Sequence, residues 1–457
     1  ADLRPGETVD FAAMPGRPVN LMYVRLVPVT EAERAAWERD GANREFRRTV
    51  GTHDGHYWLY GYAPTTVEEL AEDFEGYQQT DFSQWWFGAI GADLTGYPTK
   101  VGTPVGEGVR DFPREGEEML HQSLLTLAAK GVSPLVAARD LARGQGREFH
   151  VFIRPQAWSA SMPFEEIFNS RFYRAHPEWR AVDREGRQAM YLSYAEPGVR
   201  RHTLEMLREA VQLSDPDGVG FFFNRGIPLM LWEKAFADRF RSEHGIEVLS
   251  VAAEDPRVFR LRAKIMTEYF RSVRDLLDEL GRARGGRRYA ISAVTFPTRE
   301  TNERYGLDIE TWAREGLIDQ LAIAPEKHTR YPDAPAPDVA YYRAAVGSGV
   351  RVFPCDPFTW RSRTAVWPSA KPEDLCRLML QYLDQGADGI AVWDPKIAAG
   401  YPANAHHEGD TADLHAYFGH RELLAYWADH GVPKPNSFPL TKFGDNEYSR
   451  YRPNTGY

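Results

Sequence analysis

Only two cysteines, Cys355 and Cys376, occur in the 457 residues. That excludes a disulfide framework and a four-thiolate metal site, and both are expected as buried free thiols. There is no run of about 18 apolar residues, the length a membrane-crossing helix needs. Positive charge does not predominate either: 55 Lys and Arg against 65 Asp and Glu give a formal net charge of −10, which speaks against nucleic acid or an anionic membrane as partner. No glycine-rich phosphate loop follows a strand-like run, and no His-X-X-X-His pair lies on a helical stretch. Neither a nucleotide cofactor nor a metal is therefore expected. Low-complexity segments and sequence repeats are missing too. The chain opens at Ala1-Asp2-Leu3 without a signal-peptide pattern.

Aromatic residues, by contrast, are abundant, with 12 Trp, 22 Tyr and 24 Phe. Such a surplus either fills a core or offers flat faces to a ligand. Short β-rich runs alternate with longer stretches of helical period. They lie at 56–62, 82–90, 148–154, 218–224, 288–296, 319–325, 350–358 and 388–394. Eight such runs, each followed by a helical stretch or long loop, predict an α/β fold of the (β/α)8 TIM-barrel kind in a single domain. A further run at 18–28 reads either as an extra N-terminal strand or as the true first barrel strand. The expected organisation is an N-terminal extension over 1–55, a barrel over 56–430 and an irregular tail over 431–457 packed on it. Helix signals support the alternation. In "KPEDLCRLMLQYLDQG", Pro372 stands where a first helical residue tolerates it, acids follow in the first turn, and Gly386 ends the pattern.

In a barrel of this kind the active site gathers at the C-terminal ends of the strands. Asn224 and Arg225 directly follow the apolar run "GVGFFF", which places an amide and a guanidinium at such an end. Arg154 ends the run "EFHVFIR" in the same way.

The segment from "HPEWRAVDREG" (176–186) through "YLSYAEPGVRRHTLEMLREAV" to "DGVGFFFNR", with "FADRFRSEHGIEV", "YGLDIETWAREGLIDQLAIAPE" and "GADGIAVWD" further on, resembles the family-10-like glycosyl hydrolases of bacteria. The likeness covers roughly residues 80–400 and rests on the order and spacing of these segments. It implies a carbohydrate-active barrel acting on an oligo- or polysaccharide, and a secreted or periplasmic location is expected. The sequence departs from the family where the fourth strand carries an acid: Phe222 stands there, and of that short motif Asp217, Gly218 and Arg225 align.

Glycoside hydrolysis needs two carboxyl groups flanking one bond, about 5–5.5 Å apart in retaining enzymes and about 6.5–9.5 Å apart in inverting ones. The strand-end acids that remain are Glu326, Asp356 and Asp394, after the sixth, seventh and eighth runs. Glu326 is the choice for general acid, since its longer side chain reaches into a mouth and apolar surroundings raise its pKa. Asp394 or Asp356 would serve as nucleophile or base; each precedes a proline and equally suits a turn cap. Arg154 and Arg225 can clamp a hydroxyl or carboxylate or tie the barrel top in salt bridges. Asn224 can hold a sugar hydroxyl or acetamido group, and His328 can tune Glu326 or touch substrate. Trp86, Trp158, Trp360 and Trp393 offer stacking faces, although alternation lets only one of Trp85 and Trp86 point inward. His176-Pro177-Glu178-Trp179 reads as an anchor for its loop; "AHHEGD" (405–410) sets two histidines near two acids, which could ligate a metal but reads rather as a lid over the mouth. Two other readings stand beside hydrolysis. One is a lyase using Lys327, His328 or a tyrosine as base with Arg225 neutralising a uronate; the other is a barrel that binds sugar without cleaving it.

Overall fold

The computed structural model describes residues 46–53, 63–75, 80–160, 162–325, 336–355, 371–393 and 412–432, with Glu31, Leu59, Tyr77, Pro395, Lys442, Phe443, Asn446 and Glu447. Its centre is a parallel sheet. The strands are β1 (Thr49–His53), β2 (Phe82–Gly91), β3 (Glu148–Arg154), β4 (Gly218–Phe222), β5 (Ala290–Thr295), β6 (Gln320–Ile323), β7 (Arg351–Pro354) and β8 (Ile390–Trp393). They pair in parallel in the order β7-β6-β5-β4-β3-β2-β1-β8. The two ends of that path meet at one further parallel bridge, Cys355 to Ala391.

Helices fill the connections. α1 (Val67–Glu75), α2 (Pro134–Gly144), α3 (Pro197–Ser214), α4 (Pro256–Arg282), α5 (Ile309–Arg314), α6 (Val339–Val346) and α7 (Pro372–Asp384) each lead back to the start of the next strand, and α8 (Arg421–His430) follows β8. α4 illustrates the local causes. Asp255 caps it by accepting from Arg257 N at 2.9 Å, Pro256 opens it, and Val258, Leu261, Ile265, Phe270, Val273 and Leu277 form its buried stripe. α7 begins at Pro372, with Glu373 and Asp374 in its first turn.

Seven of the expected runs contain a strand. The run at 56–62 does not supply the first one: β1 lies earlier, in "TVGTH", and Leu59 is helical, while the rest of 56–62 and the run at 18–28 fall outside the described residues. β1 hides from a hydropathy reading because its burial does not depend on apolar side chains. Gly51 leaves room for the Trp85 ring, which a Cβ there would meet at 2.1 Å, and Thr52 Oγ1 donates to Val392 O at 3.2 Å.

The N-terminal ends of alternate strands share one device. Asp217, just before β4, accepts from Phe149 N of β3 at 2.9 Å and pairs with Arg287 at 2.8 Å. Asp319, before β6, accepts from Ile291 N of β5 at 2.7 Å and pairs with Arg274 at 3.0 Å. Asp388, before β8, accepts from Val352 N of β7 at 2.8 Å and pairs with Arg343. Each carboxylate thus satisfies the amide of the second residue of the neighbouring strand and is itself neutralised, which belongs to stability rather than chemistry at that end.

The core has two parts. The larger cluster lies between the sheet and its helices. The smaller one occupies the opposite face, where every strand contributes: Val50, Trp86, Phe152, Phe222, Val294, Ala322, Phe353 and Ala391, with Ala324, Cys355 and Trp393 above them. The sheet curls so far that strands remote along the path touch. Trp86 of β2 meets Phe353 of β7, and Phe222 of β4 meets Trp393 of β8.

Candidate functional site

Alternation along β3 sends Glu148, His150, Phe152 and Arg154 in turn toward the enclosed face. Beside them β4 offers glycine. A Cβ on Gly218 would meet the His150 ring at 2.7 Å, and one on Gly220 would meet Phe152 at 2.1 Å. The "GVG" of β4 therefore exists to admit two large rings from its neighbour.

The enclosed face is stratified. At its N-terminal end Arg351 of β7 pairs with Glu148 of β3 at 3.2 Å, His150 Nε2 lies 3.3 Å from the same carboxylate, and His150 Nδ1 is 3.2 Å from Ser292 Oγ. Burial alone would raise the Glu148 pKa; the hydrogen bond from His150 and the charge of Arg351 outweigh it and hold the group below its ordinary value. The next layer is aromatic. Trp86 stacks on Phe152 at 4.8 Å, Phe152 on Phe222 at 4.4 Å, and Phe222 meets Trp393 edge-on at 4.8 Å. Trp86 Nε1 donates to Gln84 Oε1 at 3.0 Å.

Beyond this floor come the strand ends. Arg154, half-buried, closes β3, and Asn224 lies in the 3-10 turn Phe223–Arg225 that follows Phe222. Asn224 is 1% exposed, yet among the described residues neither its Oδ1 nor its Nδ2 has a hydrogen-bond partner. Leaving such an amide unsatisfied costs about 1–3 kcal/mol, and Gln320 at the start of β6 shares this state with both of its side-chain polar atoms; what sets Asn224 apart is its place at the C-terminal end of β4. Gly226 then lets the backbone close on Gln156, whose Cβ a Gly226 Cβ would meet at 2.7 Å. Gln156 Nε2 donates to Leu192 O at 3.1 Å and Pro228 O at 2.8 Å, stitching the loops after β3 and β4 together.

The expected site residues divide sharply. Glu326, Asp356, Asp394, His328 and Trp360 lie outside the described residues, as do Lys327 and the "AHHEGD" stretch. In sequence, Glu326 follows Ala324-Pro325, Asp356 follows Cys355, and Asp394 follows Trp393. Ala324, Cys355 and Trp393 are buried together at the ends of β6, β7 and β8. Asn224, Arg225 and Arg154 sit at the strand ends as expected. Trp86 faces the enclosed side and Trp85 the helices, where it packs on Phe82 and Tyr77. The indoles of Trp86 and Trp393 are 0% and 1% exposed and belong to the packed floor. Trp158 is 0% exposed and belongs to the helix-side cluster, beside Phe172 and His202. Phe222 fills the aromatic floor, so an acid at this position would be buried between rings. His176 lies flat on Trp179 at 3.7 Å, which is an anchoring contact.

Two polar groups were not legible in the sequence. Asp93, just past β2 and 1% exposed, accepts from Thr103 Oγ1 at 2.8 Å and lies 2.5 Å from His202 Nε2; His202 in turn stacks on Phe172 at 3.7 Å. Burial pushes the Asp93 pKa up, but His202, by hydrogen bond and by charge, together with Thr103 and Ser170, brings it below 3.8. Glu233, 4% exposed, accepts from Leu231 N at 3.0 Å, from Val182 N at 3.4 Å and from the Ser193 hydroxyl, and its burial raises its pKa. Both tie loops together beyond the strand ends, and nothing in "GADLTGY" or "MLWEK" marks them in advance. Among the described residues, no three His, Cys, Asp or Glu side chains gather into a metal-binding group, and no helix is long and apolar enough to cross a membrane.

No family model and no curated protein matches the sequence. In fold the chain is similar to α-L-fucosidase isoenzyme 2 from Paenibacillus thiaminolyticus, with a TM-score of 0.51 and 13% identity over 84% of this chain and 50% of that one. It spans about half the length of that neighbour. A Group IV chitinase from Ostrinia furnacalis has a TM-score of 0.45 and 9% identity, over 82% of this chain and 99% of its own. A noncanonic maltogenic α-amylase from Thermotoga neapolitana has a TM-score of 0.41 and 12% identity, over 84% of this chain and 78% of its own. The first likeness is one of architecture, and architecture by itself carries no activity.

Proposed function

We propose that the curled sheet is a (β/α)8 barrel and that the chain is a carbohydrate-active enzyme, a glycoside hydrolase divergent from the family-10-like group. The fold shared with a fucosidase supports this architecture. The observation that carries the reading is Asn224, a buried amide at a strand end whose two polar atoms have no partner among the described residues. Its donor and acceptor suit a sugar hydroxyl or an acetamido group. Among the described residues of the enclosed face the carboxylate is Glu148, which is engaged with His150 and Arg351 at the far end. Phe222 supplies none. The carboxyl pair is therefore assigned to residues that follow β6, β7 and β8: Glu326 as general acid, with Asp394 or Asp356 as nucleophile or base. Arg154, Arg225, His328 and the ring of Trp360 complete the assignment, with the buried indoles of Trp86 and Trp393 shaping the pocket floor; Trp158, packed on the helix side, drops out of it. The proposed location is secreted or periplasmic.

The test is a screen on aryl-glycosides and polysaccharides that records the product. Hydrolysis yields new reducing ends. A lyase instead yields an unsaturated product absorbing in the near ultraviolet, which would favour the reading with Arg225 set against a uronate. Binding without either product would reduce the chain to a sugar-binding barrel.

A further inference from the structure

Three helices, α4, α5 and α6, return the chain to the starts of β5, β6 and β7, so their first turns lie at the level of the strand C-termini. Between those turns and the short helix Arg299–Tyr305 is a cavity of about 380 Å³, separate from the residues assigned above. That volume is within the range of small-molecule sites.

Its chemistry narrows the ligand. Phe259, Leu307 and Ile309 form an apolar wall, with Leu307 and Ile309 buried and Phe259 half-buried. The polar rim is preformed: Arg299 Nε bonds Glu303 at 2.8 Å, Arg299 lies 3.6 Å from Glu310, and the Tyr341 hydroxyl donates to Glu310 at 3.1 Å. Arg260, exposed on the first turns of α4, makes no hydrogen bond or ion pair among the described residues, although its charge reaches Asp255. Two arginines, Arg260 and Arg299, face three acids, Glu303, Asp308 and Glu310. An anion would meet the carboxylates and a cation the guanidinia, whereas a neutral polyol can donate to the carboxylates and accept from the guanidinia. Planar donors and acceptors beside an aromatic ring suit a molecule with hydroxyls on its edge and C–H groups on its face.

We propose that this cavity is an auxiliary binding site for a neutral mono- or disaccharide, distinct from the mouth of the barrel. The proposal rests on the carbohydrate reading above and adds a second point of attachment at the rim, near the ends of β5 and β6. The occupant is a sugar unit without carboxylate or sulfate.

The test uses the whole chain. Maltose, cellobiose and diacetylchitobiose are titrated by calorimetry and saturation-transfer NMR, with glucuronate as the charged control, against wild type, Arg260→Ala and Tyr341→Phe. Thermal melts confirm that both variants fold; Arg260 is exposed and Tyr341→Phe removes one oxygen. The expected result is that a neutral disaccharide binds wild type and loses about tenfold in affinity in Arg260→Ala, a difference of about 1.4 kcal/mol, while aryl-glycoside turnover is unchanged. Equal binding by wild type and both variants overturns the site, as does a preference for glucuronate. If turnover is found and no neutral disaccharide depends on Arg260, the auxiliary site falls and the hydrolase reading stands. If binding depends on Arg260 and no turnover occurs on any substrate, the site stands and the hydrolase reading falls. No binding and no turnover sinks both.

Discussion

At the scale of single residues, the glycines of β4 and the carboxylate of Asp93 give the sharpest expectations. Gly220→Ala puts a methyl group 2.1 Å from the Phe152 ring in a layer without slack, so about 1–3 kcal/mol of stability is lost, read as a lower urea midpoint. Asp93→Asn removes the charge opposite His202 and costs about 3 kcal/mol, the scale for breaking a buried pair. Its pH dependence has a definite sign. Asp93 ionises below its ordinary 3.8 in the folded chain, so its contribution is fully present above that value and is lost as pH falls through the folded pKa. The stability gap between wild type and Asp93→Asn should therefore close on acidification below pH 3.8, as followed by urea midpoints across a pH series. A gap that widens in acid would mean that the carboxylate is not held by His202. Neither effect was legible beforehand. "GVG" reads as a strand, and the ring each glycine admits comes from a neighbour some 70 residues earlier; the His202 that meets Asp93 looks in sequence like any helix-surface histidine.

At the scale of elements, hydropathy carried far. β4 and β8 are continuous apolar runs, and β2 and β3 are largely apolar, because a parallel strand between helices and an enclosed face is covered on both sides. β1 was missed because glycine and threonine, not apolar side chains, make it fit. The strand-start aspartates are a second lesson. Asp217 belongs to the segment that resembles the hydrolase family, yet it caps β3 and pairs with Arg287. Asp319→Ala should leave Ile291 N unsatisfied and Arg274 without that partner, costing about 1.5–3 kcal/mol, the range for hydrogen bonds to a charged group. Denaturant unfolding should report the loss with an unchanged slope, and the proposed turnover by the folded chain should be unaltered. Loss of turnover at full stability would move the chemistry to the wrong end of the sheet.

At the scale of the whole molecule, the curled parallel sheet separates two tasks. One end is sealed by ion pairs: Arg351 with Glu148 across the enclosed face, and aspartates along the strand starts. The other end rises from an aromatic floor to Arg154, Asn224 and the chain ends that lead into Glu326, Asp356 and Asp394. That Arg154, Asn224 and Arg225 close β3 and β4 was readable from the sequence, because they directly follow apolar runs. The depth of Trp86, Trp158 and Trp393 was not, since burial of a ring depends on its neighbours. The central claim is that a carboxylic acid after β6 protonates the departing sugar oxygen, and leaving-group dependence tests it most directly. With Glu326→Gln, kcat on a substrate with a poor leaving group should fall by about 10²–10⁴, while an activated dinitrophenyl glycoside, which needs no proton, should be cleaved with a much smaller loss. Near-normal turnover of the poor leaving group by that variant would contradict the account.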